Sequence, residues 1–523
     1  MIGLKDIFTK IVKFKNFWKQ KHQKHFYLIE EFKEKIKTKN QEIYNFNNYF
    51  ISSEDKIRKG SYRRNIKRIS KIILRVTSKY EKIFNYFLDG KQFSRKITPK
   101  NLNFLKIDVN KKSNFSFNSE NKFYIFKPIF LNKKSKKKLV LILLLDGFGR
   151  DLANNAKNSI NFFGKNNFFN NVWSNSNWTL PSFGNLITGK YVPNHTCFEP
   201  ETFYNNSSQI SYKSKMTLFE SFSKQDFVTG CYSPYLRVNP TYGSSRGVDF
   251  FKFCSGQTAD EMVENIIAQL NLFKDSSNFI FAHFFDSHGP QKKHVRLSEA
   301  SYFPEKNYDF KKDNNEKLSR ALNTVYGHDE VETLSLFKFL DSKLLTLYNF
   351  LKSQNYDDYT IILLGDHGTR VHSMIKNKDL LANNMANISF FIKDKKNKFS
   401  KIKREKTIHM VDVYPSLLSR YSKKLYNKLL KDVDGKNTIF SSTSRKFNLT
   451  ESAYKEKYDL HVRKKNYQLY SSFNFNNKKV GNIISKKFLN SKEKIINRNN
   501  SNKEKFEELQ KITDDHMKKN NFK

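Results

Sequence analysis

The stretch Leu139-Val-Leu-Ile-Leu-Leu-Leu-Asp146-Gly-Phe-Gly149 decides the fold class of this chain. An unbroken run of apolar residues follows a lysine run and ends before two glycines, which is typical of a strand buried on both faces of a parallel sheet. Asp146 stands at the carboxyl end of this strand, where sites form in open α/β sheets. We expect Asp146 to be a metal ligand. The alternative is a helix-capping aspartate in an ordinary strand-to-helix turn.

Strand-like and helix-like patterns alternate from Leu139 to about Arg420. This alternation predicts an α/β fold in which a mostly parallel sheet lies between helices. Three of the strands would end at or just before an aspartate, namely Asp146, Asp286 and Asp366. The predicted elements are a helix near residues 151–164, strands at 279–285, 359–364 and 388–392, and a long helix over about 330–354.

The segments on either side of this core have a different character. Residues 1–90 are predicted to form a basic helical extension, because apolar residues recur at helical spacing from Leu4 to Val12 and from Ile66 to Phe84. Residues 91–138 are polar and irregular, which indicates a linker to a catalytic domain at 139–420. Residues 421–523 are predicted to form a small sheet and a helix, with a β-hairpin at 458–473 and the helix at about 503–518.

The formal net charge of +45 could suggest a nucleic-acid-binding protein. The lysines are spread along the whole chain, however, and no RNP, zinc-finger or helix-turn-helix signature accompanies them. We therefore interpret the charge as a solvated basic surface and expect no specific nucleic-acid partner. A basic amphipathic helix carrying Phe17 and Trp18 could lie on an anionic membrane surface; the alternative is a helical hairpin packed against the main domain.

The cysteines and the amino-terminal residues indicate a compartment. Cys197, Cys231 and Cys254 have no metal-like CxxC spacing, and the first residues lack the apolar segment of a secretory signal. No run of about 20 apolar residues predicts a transmembrane helix. We expect a cytoplasmic protein that touches the membrane, if at all, from its inner face.

Four motifs together resemble the alkaline phosphatase/sulfatase superfamily: Asp146, Trp178-Thr179-Leu-Pro-Ser182, Asp286-Ser-His288-Gly-Pro and Gly365-Asp366-His367-Gly368. Two further stretches extend the resemblance, Ser245-Arg-Gly-Val-Asp-Phe-Phe and Val411-Asp-Val-Tyr-Pro-Ser-Leu-Leu418. The motifs occur in the expected order over about residues 138–420. The resemblance implies an alkaline-phosphatase-like core with a nucleophile at the start of a helix.

The resemblance also implies a metal-dependent site. A divalent ion (Zn²⁺, Mn²⁺ or Mg²⁺) would be held by Asp146, Thr179, Asp366 and His367. Coordination would activate the Thr179 hydroxyl, whose attack on a phosphorus ester would give a covalent phosphothreonine. His288 or His372 would be the general acid. The spacing Asp286-Ser-His288 is shorter than the family's Asp-x-x-x-His, so one or two ions remain possible. Candidates for a second metal ion or for substrate contacts are Asp286, His288, His372 and His409.

The nucleophile separates the branches of this superfamily. Sulfatases form formylglycine from a Cys or Ser at this position, and formylglycine cannot arise from Thr179. Phe183 also stands where the sulfatase motif has an Arg. The resemblance therefore favours a phosphodiesterase-like or phosphoethanolamine-transferase-like branch acting on phosphate esters, including lipid- or glycan-linked ones. Two alternatives remain: a sulfatase-like sulfuric ester hydrolase, and a non-catalytic basic binding protein that retains the fold.

Overall fold

The structure is a computed structural model, and the residues that it describes fall into two compact units, within residues 35–132 and 137–519. The described residues are 35–37, 42–46, 49–52, 56–57, 60–66, 70–109, 112–119, 123–132, 137–195, 197, 216–234, 238, 240, 245–253, 257–287, 330–368, 383–396, 406–421, 438–443, 457–476, 479–492 and 494–519.

The first unit is built from β-strands. Strands β1, β2 and β3 form an antiparallel meander. One four-stranded sheet has the order β4–β9–β6–β7, and in another β5 pairs with β8, β10 and β11. Apolar side chains from both four-stranded sheets form a common core. The strands are β1 Lys35–Lys37, β2 Glu42–Phe46, β3 Tyr49–Ser52, β4 Gly60–Ile66, β5 Ser70–Ser78, β6 Lys82–Leu88, β7 Lys91–Ile97, β8 Asn103–Val109, β9 Ser113–Ser119, β10 Phe123–Ile125 and β11 Ile129–Asn132.

The helix predicted between Ile66 and Phe84 is therefore wrong, as is the irregular linker predicted at residues 91–138. The β-branched residues of β5 favour an extended backbone, and its alternate residues Ile72, Leu74 and Val76 lie in the core. The turn Asp89-Gly90, with φ of 53° and 81°, joins β6 to β7. Two consecutive positive φ values are typical of a two-residue hairpin turn, and Asp-Gly is a sequence signal for it. The helix predicted from Leu4 lies outside the described residues, so membrane contact through residues 1–90 stays a prediction.

The second unit is centred on a mostly parallel sheet, which confirms the predicted fold class. Its strands lie in the order β15–β14–β16–β12–β17–β18, and only the edge strand β18 is antiparallel to its neighbour. The apolar stretch 139–145 forms most of β12, which is central and buried along its length. The strands are β12 Lys138–Leu145, β13 Val172–Trp173, β14 Phe227–Ser233, β15 Phe250–Phe253, β16 Ser277–Phe284, β17 Asp358–Gly365, β18 Phe390–Asp394, β19 Ile408–His409, β20 Thr438–Thr443, β21 Lys457–Lys464, β22 Tyr467–Asn476 and β23 Lys479–Asn490.

The helices of this unit cover the sheet, as a strand buried on both faces requires. The long helix α6 contacts both α1 and α5. No helix within the described ranges is both long enough and apolar enough to cross a membrane. The helices are α1 Lys157–Phe163, α2 Thr179–Thr188, α3 Val192–His195, α4 Leu218–Ser223, α5 Ala259–Leu272, α6 Glu330–Ser353, α7 Asn383–Ala386, α8 Val413–Tyr421 and α9 Lys503–Lys519.

The carboxyl-terminal part of the second unit is an antiparallel sheet in the order β20–β21–β22–β23. Apolar side chains on one face of this sheet, among them Leu460 and Val462, pack with Leu509 and Met517 of α9. The predicted hairpin and terminal helix are confirmed as β21, β22 and α9. The structure adds β20 and β23, one on each side of the hairpin.

We expect Leu143→Ala to lower the free energy of unfolding by about 2–5 kcal/mol, because the Leu143 side chain is fully buried in the central strand. Chemical unfolding followed by fluorescence measures this change. Leu345→Ala on α6 is the control, since Leu345 is 39% exposed; its expected effect is below about 0.5 kcal/mol. Equal effects of the two substitutions would contradict the central position of β12.

Candidate metal centre and nucleophile

Two neighbouring parallel strands bring two aspartates to the same edge of the sheet. Strands β12 and β17 pair in a register that sets Leu145 opposite Gly365, so Asp146 and Asp366 both follow directly after the paired residues. Both aspartates are buried, and so is His367, the next residue. Ligand atoms of Asp146, Asp366 and His367 all lie within 4.8 Å of one another. The structure therefore brings together three of the four predicted metal ligands.

Backbone amides hold the Asp366 carboxylate in a fixed orientation. Its Oδ1 accepts hydrogen bonds from the amide of Gly147 at 2.8 Å and from the amide of His367 at 2.9 Å. Gly147 has a φ of +67°, in the left-handed region that favours glycine. Because Oδ1 is occupied by the two amides, Oδ2 is the oxygen that faces the histidine: it lies 3.5 Å from His367 Nε2.

The hydrogen bond of the His367 ring defines which of its nitrogens can bind a metal. Nδ1 lies 2.9 Å from the carbonyl oxygen of Gly368. A carbonyl oxygen only accepts, so Nδ1 carries the hydrogen. In the neutral ring, Nε2 then has a lone pair that faces the carboxylates, at 3.5 Å from Asp146 Oδ1 and 3.5 Å from Asp366 Oδ2. Two carboxylates and a nitrogen lone pair that face one another need a positive charge between them. Metal-binding histidines are commonly held in this way, by a hydrogen bond from the ring nitrogen that does not bind the metal.

The donor set fits a divalent metal ion. Among the described residues, Asp366 Oδ2 and His367 Nε2 have no hydrogen-bond partner, although both atoms are buried. Buried polar atoms are costly to leave unsatisfied. Burial, and then the negative charge of Asp146, raise the pKa of Asp366. A cation among carboxylate and imidazole ligands would remove these costs, and Zn²⁺, Mn²⁺ and Mg²⁺ all accept such ligands. This buried group could therefore hold a metal ion.

Thr179 lies at the start of a buried helix, next to this group. As predicted, α2 begins at Thr179, and Trp178 is its extended N-cap residue. The hydroxyl Oγ1 of Thr179 donates a hydrogen bond of 3.0 Å to Asp146 Oδ2. The proposed nucleophile is thus in direct contact with a proposed metal ligand.

His283 also contacts this centre, and the sequence analysis missed it. It lies on β16 beside Leu144 of β12 and is fully buried. Its Nε2 is 3.4 Å from Asp146 Oδ2, the same oxygen that accepts the Thr179 hydroxyl. The available signal was a single imidazole within the otherwise apolar run 279–285. Because β16 neighbours β12, such a histidine lies close to the end of the strand that carries Asp146.

Two other predicted residues lie outside the metal-ligand group. Asp286 follows β16, but its Oδ1 accepts a hydrogen bond of 3.0 Å from the amide of Ala259, at the start of α5. His409 is the N-cap residue of a 3-10 turn: its amide donates to Asp412 Oδ2 at 2.9 Å. Its Nδ1 lies 3.2 Å from Asn175 Nδ2. In the part of the chain that the structure describes, the metal-ligand group contains neither of them. His288 and His372 lie outside the described residues.

The stretch Ser245-Arg-Gly-Val-Asp has a structural role. Arg246 forms a two-pronged ion pair with Glu220, with Nη2 at 2.8 Å from Oε1 and 2.9 Å from Oε2. Asp249 Oδ2 accepts a hydrogen bond of 2.8 Å from the amide of Thr229. These contacts join the stretch to α4 and β14 rather than to the metal-ligand group.

The fold and the site together define the class of protein. A mostly parallel sheet that carries Asp146, Asp366 and His367 at its carboxyl edge, with a hydroxyl at the start of the adjoining helix, is the arrangement of the alkaline phosphatase/sulfatase superfamily. The family model described as "Sulfatase" matches residues 138–422, which is more than half of the chain. The chain belongs to the sulfatase family.

Several solved structures are similar in fold. BT4656, in complex with its substrate D-glucosamine-2-N,6-O-disulfate, is 12% identical with a TM-score of 0.53, over 74% of this chain and 98% of that one. BT1596, a 2-O GAG sulfatase, is 14% identical with a TM-score of 0.51, over 74% and 93%. The phosphonate monoester hydrolase from Silicibacter pomeroyi is 12% identical with a TM-score of 0.51, over 73% and 96%. Identities this low show the fold alone. No curated protein sequence matches the chain.

We expect Asp366→Asn to weaken divalent-metal binding by more than about 100-fold, because it removes the charge of a direct ligand. Loss of a residue that only hydrogen-bonds a ligand typically weakens metal binding by about 10- to 100-fold, and loss of the ligand's own charge should cost more. Titration of EDTA-treated protein with Mn²⁺, followed by the electron paramagnetic resonance (EPR) signal of the free ion, measures this. Asp286→Asn is the matched control: Asp286 also follows a sheet strand, but its carboxylate contacts α5. Equal losses in the two variants would contradict the assignment of the ligands.

Proposed function

We propose that the protein is a metal-dependent hydrolase or transferase of phosphate esters in which Thr179 is the nucleophile. The observation that carries this proposal is the 3.0 Å contact between Thr179 Oγ1 and Asp146 Oδ2, beside the metal-ligand group. Threonine at this position supports phosphate esters over sulfate esters, because it cannot be converted to formylglycine. The relatives of similar fold include both a glycosaminoglycan sulfatase and a phosphonate monoester hydrolase, so the fold does not separate the two substrate classes.

The first step forms a bond between Thr179 Oγ1 and phosphorus. Asp146 Oδ2 already accepts the hydrogen bond of the hydroxyl, so it is the atom that takes the proton as the new bond forms. The bond from phosphorus to the leaving oxygen breaks, and that oxygen takes up a proton, which in this proposal comes from His288. A bound divalent ion would stabilise the negative charge on the threonine oxygen and on the phosphoryl oxygens.

The second step releases the covalent phosphothreonine. Water or an acceptor alcohol attacks phosphorus and gives its proton to His288, which lost one in the first step; the bond from Oγ1 to phosphorus breaks, and Thr179 regains its proton from Asp146. Water gives hydrolysis, and an acceptor alcohol gives transfer of the phosphoryl group. The helix that begins at Thr179 favours an anionic group at this position, because the first amides of a helix are not used within it. The first intrahelical bond of α2 runs from the Ser182 amide to the Trp178 carbonyl oxygen.

We propose that the substrate is an anionic ester. The centre is buried, and the surrounding chain carries a formal charge of +45. A large positive charge raises the local concentration of anionic substrates. We propose phosphate esters linked to a lipid or a glycan as the first compounds to test, because the relatives of similar fold include a structure with a sulfated glucosamine as its substrate.

We expect the protein to hydrolyse p-nitrophenyl phosphate or bis(p-nitrophenyl) phosphate in the presence of Mn²⁺ or Zn²⁺. Thr179→Ala should lower kcat by at least about 1,000-fold, because it removes the nucleophile. Thr179→Ser should retain part of the activity, because it keeps the hydroxyl. Thr188→Ala in the same helix is the control: the Thr188 hydroxyl donates to the Gly184 carbonyl oxygen and takes no part in the reaction.

Two outcomes would overturn this proposal. One is turnover of phosphate esters that survives Thr179→Ala. The other is faster turnover of p-nitrophenyl sulfate than of either phosphate ester, which would favour the sulfuric ester alternative. Mass spectrometry of protein quenched during turnover should find the phosphoryl group on the peptide that contains Thr179.

A further inference from the structure

Arg463 is a buried arginine in the carboxyl-terminal sheet, beyond the residues that the family model matches. Its guanidinium carbon lies 5.2 Å from the centre of the Trp173 ring. Its Nε donates a hydrogen bond of 2.6 Å to Asn383 Oδ1, and its Nη1 lies 3.4 Å from Ser441 Oγ. An arginine is rarely buried unless its charge and its donors are used. The positions of Asn383 and Ser441 indicate what this arginine does.

The contact with Asn383 leads to His367. Asn383 is the first residue of α7, and Met385 of the same helix accepts a hydrogen bond of 2.7 Å from the amide of Gly368. A Cβ atom added to Gly368 would lie 1.8 Å from the backbone oxygen of Asn384, so α7 packs directly against residue 368. The carbonyl oxygen of Gly368 is the acceptor that holds the His367 ring by its Nδ1. The position of α7 therefore affects the orientation of a proposed metal ligand.

The contact with Ser441 leads to Asp366. Ser441 Oγ donates a hydrogen bond of 3.0 Å to the carbonyl oxygen of Ser174. Ser174 Oγ in turn lies 2.6 Å from the carbonyl oxygen of Asp366, and the Ser174 amide donates to the carbonyl oxygen of Ala386 in α7. Both sets of contacts start at one guanidinium group; one ends at the backbone of Asp366, and the other at Gly368, whose carbonyl oxygen holds the His367 ring.

We propose that Arg463 is a positioning residue for the metal centre: through α7 and Ser174 it holds Asp366 and His367 in their ligand geometry. This inference rests on the proposed function only in taking Asp146, Asp366 and His367 as metal ligands. The partners of a metal ligand contribute to affinity because they fix its orientation before the ion binds. A guanidinium group suits this role, since its planar set of donors can serve two acceptors at once.

Lys464 provides a matched control for Arg463. It is the next residue of β21, so its side chain points to the opposite face of the sheet. Lys464 Nζ pairs with Glu508 Oε1 of α9 at 2.6 Å. A substitution at residue 464 therefore removes a positive charge from the same strand but leaves the contacts with α7 and Ser441 in place.

We expect Arg463→Met to raise the dissociation constant for Mn²⁺ by about 10- to 100-fold, with Lys464→Met within about twofold of the unsubstituted protein. The probe is Mn²⁺ alone, added to the full-length, EDTA-treated protein and followed by the EPR signal of the free ion. Circular dichroism and thermal unfolding in EDTA report whether each variant is folded. Arg463→Lys keeps the charge but lacks the planar donors, so it should also bind Mn²⁺ more weakly.

Asn383→Ala tests the contacts through α7 without changing the arginine. This variant also keeps the inference testable if Arg463→Met fails to fold. We expect weaker Mn²⁺ binding in this variant, and adding Asn383→Ala to Arg463→Lys should cause no further loss, because Arg463→Lys already breaks the contact with Asn383. Folded Arg463→Lys and Asn383→Ala variants with unchanged Mn²⁺ affinity would overturn the inference. Absence of Mn²⁺ binding in the unsubstituted protein would overturn it together with the metal dependence. Tight Mn²⁺ binding without turnover of any phosphate ester would contradict the proposed function alone.

Discussion

Two carboxylates buried side by side at the ends of neighbouring parallel strands are the constraint on which the site depends. The register of β12 against β17 makes Asp146 and Asp366 neighbours, and the surrounding strands exclude water from both. Like charges so close together in a medium of low dielectric constant require a proton or a cation between them. The amide of Gly147 and the ring of His367 also contact these carboxylates, and a divalent ion would balance the two negative charges best.

The nucleophile and the supporting residues follow from the same edge of the sheet. The Thr179 hydroxyl and the His283 ring approach a single oxygen of Asp146, so this carboxylate joins the proposed metal ligands to the proposed chemistry. The carboxyl-terminal sheet is part of this arrangement, because its strand β20 hydrogen-bonds the segment that precedes the nucleophile: the Ser442 amide donates to the Asn175 carbonyl oxygen. The catalytic unit that we propose therefore extends beyond the residues matched by the family model.

The sequence predicts best those features that a single short stretch of residues determines. An apolar run that ends at Asp146 predicts both a central strand and a carboxylate at its end, and a threonine followed by Pro181 predicts the start of a helix. The segment from Ile66 to Phe84 misled because β5 is buried on both faces, and a short apolar run of this kind does not separate a strand from a helix. The Asp89-Gly90 turn that follows β6 is the local signal for strands here. The contact of Arg463 with Asn383 joins residues 80 positions apart, so no local pattern could predict it.

The most direct test of this account is X-ray diffraction from crystals grown with Zn²⁺, with anomalous data collected at the zinc absorption edge. We expect an anomalous peak about 2.0–2.2 Å from carboxylate oxygens of Asp146 and Asp366 and from His367 Nε2, with Thr179 Oγ1 at or next to the ion. Zinc bound elsewhere, with Asp146 and Asp366 left without a cation between them, would contradict it.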